Sequence, residues 1–368
     1  MDASKLIASR MSKVDASGIR KVFDLAKSIP HPINLSIGQP DFQVPEPVKA
    51  KAMQAIEMGL NRYTVTQGVE DLRRGVLEFE KLRSGIRHSS VLITSGVSGG
   101  LLLAVMVLVN PRDKVIIPDP YFVMYKQLCR LMGGTPLYVN TYPDFQLTVE
   151  RLEKAGAAAG KVLLLNSPCN PTGQIVGASR LREIAKWARH NGIFIISDEI
   201  YSVFSYDGPC PSIARYTSDV LLLNGFSKSA AMTGWRVGYA IGPEEIVQEM
   251  TKLQQFSFVC APSIGQYGAL EALACDITPH VQAYQAKRDL IYEGLRHKFE
   301  MVKPQGAFYA FVRAPDGNGD AFCRKAIENR CLIIPGSVFS EKKTHFRLSF
   351  AAPDETIEAG IQLLCALA

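Results

Sequence analysis

Long apolar runs are missing from this chain: the longest, Leu101 to Val109, is about half a membrane span. No membrane partner is therefore expected. The first residues, Met1 to Lys13, also lack an apolar stretch of signal-peptide length, so a soluble, cytoplasmic protein is the expectation. The eight cysteines stand at 129, 169, 210, 260, 275, 323, 331 and 365, and no two have the two-residue gap of a zinc knuckle or a redox pair. They read as reduced thiols, and no metal site is expected. A basic stripe is missing too. The 41 Lys and Arg against 35 Asp and Glu leave a formal charge of +6 that is scattered along the chain. That distribution gives nucleic acid no surface to follow. Internal repeats and low-complexity tracts are absent.

What is present is an ordinary globular composition, 47% apolar and 21% charged, over 368 residues. That length exceeds what a single core usually serves, so two domains are expected. Apolar runs bounded by polar turns recur at 91–94, 114–118, 162–166, 193–197 and 220–224. Their near-continuous hydrophobicity suits strands buried on both faces, as in a parallel sheet. Helical patterns at 99–109 and 178–190 alternate with them, the order of a doubly wound α/β domain. After Thr278 the texture changes: Thr278 and Pro279 read as N-cap and first position of a helix of about twenty residues, a candidate hinge. Beyond it, 306–312 and 345–350 read as strands of a smaller α+β domain closed by a helix over 355–367. Near the start, Asp15 or Ser17 is expected to cap an amphipathic turn carrying Ile19, Val22, Phe23 and Ala26, with a strand at 34–37.

The chemistry concentrates around Lys228, which follows a predicted buried strand at the sheet edge where α/β proteins place ligands. Small neighbours and no adjacent acid favour an amine that loses its charge on burial and attacks carbonyls. A lone lysine of this kind is more often a surface residue. Here the run from Gly225 to Gly238, GFSKSAAMTGWRVG, resembles the pyridoxal-phosphate attachment signature of class I and II aminotransferases, including Arg236 eight residues after the lysine. The resemblance continues at 34–42 (NLSIGQPDF), 63–73, 94–98, 118–125, 166–173, 197–201 and 346–350, and so spans most of the chain.

The resemblance implies an aspartate-aminotransferase (fold type I) architecture: α/β, with a large, doubly wound, mixed but mainly parallel sheet domain over 44–275. A smaller α+β domain is built from both chain ends, 1–43 and 276–368. It also implies pyridoxal 5'-phosphate held by Lys228 as a Schiff base. Asp198 would pair with the pyridine nitrogen and keep it protonated, and Tyr201 would donate to the ring's phenolic oxygen. Asn170 would reach the same oxygen and the substrate carboxylate, through an Asn170-Pro171 bond expected to be cis. Gly96, Val97 and Ser98 at a helix N-terminus, with Ser227 and Arg236, would hold the phosphate. Phe122 would stack on the ring, Arg347 would bind the α-carboxylate in a fork-to-fork pair, and Gly38 would let backbone approach it. Tyr63 would cross a two-fold interface to the neighbouring subunit's phosphate, which makes a homodimer the expected assembly. Several of these residues have plainer readings alone: a turn acid at Asp198, a helix cap at Ser98, a core ring at Phe122 and an edge-strand arginine at Arg347.

The implied activity is ping-pong transfer of an amino group from an L-amino acid to a 2-oxo acid. A carbon-sulfur β-lyase, or another eliminating enzyme on the same scaffold, is the alternative. A regulator of this fold carries a DNA-binding domain in front, and only about thirty residues precede Asn34. For the donor side chain, departures from the family inform more than matches. Aspartate enzymes of a bacterial subgroup carry a lysine where this chain has Ser98, and 256–262 contains no arginine, although Lys252 and Arg288 flank it. A distal carboxylate buried without a cation is disfavoured, so neutral or aromatic amino acids are expected, with 2-oxoglutarate or pyruvate as acceptor. Arg20 and Arg130 are the cations that could otherwise reach a second carboxylate.

Overall fold

A computed structural model of the chain describes residues 1–16, 18–19, 22 and 29–368. The expectations for Ser17, Arg20, Phe23 and Ala26 lie outside the described residues. Seven strands form the main sheet: β2 (Ser90–Ser95), β3 (Lys114–Asp119), β4 (Thr135–Asn140), β5 (Val162–Asn166), β6 (Phe194–Asp198), β7 (Val220–Gly225) and β8 (Val237–Gly242). Their order is β2-β8-β7-β6-β5-β3-β4. Only β8 runs against the others, pairing antiparallel with both β2 and β7. Because of that reversal, the start of β8 lies beside the ends of β2 and β7. The pairs Ser95↔Val237 and Gly225↔Gly238 bring residue 236 to the edge where the other strands finish.

Successive residues of each strand face opposite sides, and both sides are covered. Leu221 and Leu223 join one apolar cluster, while Val220 and Leu222 join the other. All four are fully buried, and each contributes roughly 1.5–3 kcal/mol relative to an exposed position. The helix Ala178–His190 forms where its apolar spacing places it, burying Leu181, Ile184, Ala185 and Ala188 on one face.

Two strands of the main sheet escaped the sequence reading. β4 is an edge strand with a half-buried face and a proline, so it lacks the buried signature. β8 contains two glycines that read as turn or motif residues. The helix expected to be capped by Thr278 instead begins at Thr278, with Ile277 in the cap position and Asp276 accepting from the Thr278 amide at 2.9 Å. The N-terminal strand is shorter than 34–37: β1 spans only Ile33–Asn34, and at Leu35 the carbonyl accepts from the Ser349 amide instead.

β1 pairs in parallel with β10 (Cys331–Leu332), which joins the start of the chain to its last quarter. Close by, β11 (Ile334–Pro335), β12 (His345–Ser349) and β9 (Tyr309–Arg313) form a three-stranded antiparallel sheet with β12 in the middle. The closing helix, Asp354–Leu367, packs against the helix Thr278–Leu295 and β1. Among the described residues no helix is long and apolar enough to cross a membrane.

Candidate active site

Strand ends and the segments after them enclose a cavity of about 320 Å³. Lys228 enters it from a single helical turn, Phe226–Ser229, directly after β7. Its Nζ donates to the Gly38 carbonyl at 2.6 Å. Burial, aided by the Arg347 and Arg236 charges and opposed by Asp198, pushes the amine down to about 8. Asp198 is the last residue of β6, not the first residue beyond it, and is buried. Burial pushes its carboxyl up to about 6, against the 2.7 Å hydrogen bond it accepts from the Tyr125 hydroxyl. Asn166 donates to the Asp198 carbonyl and accepts from the Asn170 amide, both at 2.9 Å, which ties β5 to β6. The Asn170-Pro171 bond is cis.

The next corner of the cavity is built by glycines. A Cβ on Gly225 would lie 2.7 Å from the Gly238 Cα, and one on Gly238 would lie 2.7 Å from the Gly96 carbonyl carbon. β7, β8 and the N-terminus of the helix Gly96–Leu108 therefore approach as closely as backbones can. Gly96 adopts a positive φ of 66°, and a Cβ there would strike the Arg236 guanidinium at 2.6 Å. Arg236 itself has φ 58°, which costs roughly 1–2 kcal/mol for a side chain of this kind. The strain is sustained by donation from Nη1 to the Thr233 carbonyl at 2.9 Å and by the adjacent strand pairing. Val97, Ser98 and Ser227 line the same corner.

Arg347 lies on the central strand of the small sheet, so the edge-strand reading is corrected. Its side chain is 1% exposed, donating to the Ser36 carbonyl at 2.8 Å and to Asn170 Oδ1 at 3.1 Å, while Nε has no partner. The guanidinium is sandwiched between the rings of Tyr309 and Phe339, at 4.5 and 4.7 Å. Among the described residues no carboxylate pairs with Lys228, Arg236 or Arg347. Among the described residues, three cations thus face one cavity acid, Asp198. Buried charges need partners, and a cavity of this kind suits a ligand carrying a phosphate and a carboxylate. The unpartnered Nε and the glycine-lined cradle are where those two anions fit.

Of the residues expected from the sequence, Gly38, Val97, Ser98, Phe122, Asn170, Asp198, Tyr201, Ser227, Lys228, Arg236 and Arg347 line this one cavity, and Gly96 forms its wall through Arg236. Tyr63 does not: it is 82% exposed, beside a separate surface hollow lined by Asn61, Arg62, Ser95, Phe258 and Cys260. Tyr125 and Tyr309 were not singled out from the sequence. Tyr125 sits inside the matching run 118–125, on the helix Val123–Leu131, and its contact with Asp198 joins residues 73 apart in the chain. The flanking cations lie elsewhere. Lys252 pairs with Glu249, Arg288 with Asp289 and Asp207, and Arg130 with Asp15.

The order of the main sheet and the small sheet built beside it define a fold type I aminotransferase architecture. The family model "Aminotransferase class I and II" matches residues 30–364, and the chain belongs to that family. It is 34% identical to a probable aspartate aminotransferase of Methanocaldococcus jannaschii, over 98% of this chain and 99% of that one. It is 35% identical to aromatic-amino-acid aminotransferase 2 of Thermococcus litoralis, over 96% and 95%. The structure of the Thermus thermophilus aspartate aminotransferase with maleate superposes with a TM-score of 0.94 at 30% identity, covering 98% of this chain and 99% of the other. The chain is a transferase of the aminotransferase type, from a family that works with pyridoxal phosphate.

Proposed function

We propose that the chain moves the amino group of a neutral, apolar or aromatic L-amino acid to a 2-oxo acid by a ping-pong mechanism, using pyridoxal 5'-phosphate. The observation that carries the donor preference is the cavity's cation inventory. Arg347 provides one site for one carboxylate, and the remaining described cations, Lys228 and Arg236, are engaged by the cofactor. Ile19, Ile37 and Leu101 complete the wall with apolar surface. The relatives are named for aspartate and for aromatic donors alike, so their names leave the preference to the residues.

When bound, the cofactor supplies an electron-withdrawing ring that acidifies the substrate α-carbon. Asp198 would hold the pyridine N–H, Tyr201 and Asn170 would hold the phenolic oxygen, and Phe122 would cover a ring face. Gly96, Val97, Ser98, Ser227 and Arg236 hold the phosphate. Arg347, with the Gly38 backbone nearby, orients the substrate carboxylate. Lys228 would hold the cofactor, and its amine is placed to take the substrate α-proton and return it. A carbon-sulfur β-lyase shares these groups up to that proton transfer.

A panel of donors at fixed 2-oxoglutarate tests the assignment. Phenylalanine, leucine and alanine are expected to exceed aspartate in specificity constant. Aspartate tenfold above them would mean that an overlooked cation serves a distal carboxylate. Release of pyruvate and ammonia from cystathionine without a 2-oxo acid would move the assignment to the lyase.

We further infer a two-fold homodimer in which Tyr63 reaches the partner's phosphate corner. The supporting observation is the exposed apolar surface around it, with Val65 at 62% and Phe258 at 37% exposure. Sedimentation at assay concentration should give dimers, and fully active monomers would refute this. We assign 44–275 to a large cofactor-binding domain, and 1–43 with 276–368 to a small one, on the strength of the two separate sheets. A reducing compartment, the cytoplasm, suits the eight free thiols.

A further inference from the structure

Tyr309 touches two of the groups assigned above and belongs to neither assignment. It sits on β9, where Phe311 is the register partner of Arg347. Two residues along, Tyr309 projects from the same face of the sheet and reaches Arg347 diagonally. Its ring lies 4.5 Å from the guanidinium, opposite Phe339. Its hydroxyl is 2.9 Å from the Tyr201 hydroxyl. The side chain is 1% exposed, and its hydroxyl lies where a Cβ on residue 38 would come within 2.8 Å, so the glycine there makes room for it.

Two phenols joined by one hydrogen bond own two protons and use one of them between themselves. Burial raises both phenols above their ordinary range, so both keep their protons at neutral pH. If Tyr201 is to donate to the cofactor, its oxygen must accept from Tyr309. A donor that accepts a hydrogen bond is itself a stronger donor. The charged and titratable groups around the pair are Arg347 over the Tyr309 ring, and Lys228 at 5.8 Å from the Tyr201 ring with Asp198 beyond it.

We propose that Tyr309 is a positioning residue for two groups at once: its hydroxyl donates to Tyr201 and directs that residue's proton to the cofactor's phenolic oxygen, while its ring supports the Arg347 guanidinium. This rests on the proposed role of Tyr201, and the test separates the two. Holoenzyme reconstituted with pyridoxal phosphate is titrated with base while the near-ultraviolet and visible absorbance is followed. The Kd of 3-phenylpropionate, a monocarboxylate probe, is measured on the same samples.

Tyr201→Phe should raise the titration midpoint, because a phenolic oxygen without its donor keeps more negative charge and holds a proton on the neighbouring nitrogen to higher pH. Tyr309→Phe should shift the midpoint the same way by a smaller amount, and change the 3-phenylpropionate Kd by less than about twofold, since the ring remains. Tyr309→Leu removes hydroxyl and ring together, and should add about a tenfold weakening of that Kd. An unmoved midpoint in Tyr309→Phe, with a clear shift in Tyr201→Phe, overturns the proposal for Tyr309 alone. An unmoved midpoint in Tyr201→Phe removes the role of Tyr201 and this inference with it. Should the leucine variant not fold, the near-isosteric phenylalanine variant still decides.

Discussion

Lys228→Ala should lower turnover by about three orders of magnitude or more, because in the proposed assignment one amine both binds the cofactor and carries the proton. The cavity tunes that amine for the task. With its value pushed down from 10.5 to about 8, about a quarter is neutral at pH 7.5, against about one part in a thousand for an ordinary lysine. The variant should still bind pyridoxal phosphate, since the cradle of Gly96, Val97, Ser98 and Arg236 is untouched. Single-turnover measurements with added ethylamine form the sharper check. Rescue should rise with pH as the added amine loses its proton. Residual turnover above a few per cent without added amine would contradict the role.

Asp198→Asn is expected to have the next largest effect, weakening cofactor affinity and slowing α-proton removal together. Removing one partner of a buried charge pair typically costs about 3–5 kcal/mol, or roughly two to four orders of magnitude in affinity. A pH signature accompanies it. Burial raises the carboxyl to about 6, so cofactor-free protein loses this negative charge as pH falls through that value. Cofactor capture by the wild-type chain should therefore decline below pH 6, whereas the Asn variant should show a flatter profile at lower affinity. Parallel profiles for the two proteins would remove Asp198 from the pyridine nitrogen.

The residues of the cavity differ in how far they could be read from the chain. Lys228 was legible because its signature is continuous: strand, glycine and a single helical turn follow within a few residues. The Asp198-to-Tyr201 run and the Asn166-to-Gly173 run were legible for the same reason, each being a strand end and the turn after it. Arg347 was legible as an arginine in an apolar strand in need of a partner. Its partners were not, since Asn170 is 177 residues away and Ser36 is 311 away. Tyr125 and Tyr309 carried no signal of their own, because an aromatic in an apolar stretch reads as core until its hydroxyl is given a neighbour.

Taken alone, the sequence determined what is encoded over a few residues: the buried strands, the helix Ala178–His190, the glycine-rich turns and the chemical identity of the groups at the strand ends. These follow from side-chain periodicity and turn chemistry, which act through local sterics and solvation. Tertiary structure alone decided that β8 runs against its neighbours and so places Arg236 beside Gly96. It also set Arg347 between Tyr309 and Phe339 and brought the Tyr125 hydroxyl to Asp198. Those appositions join segments up to hundreds of residues apart. They exist only once the whole chain has closed and its buried polar atoms have found the partners that burial demands.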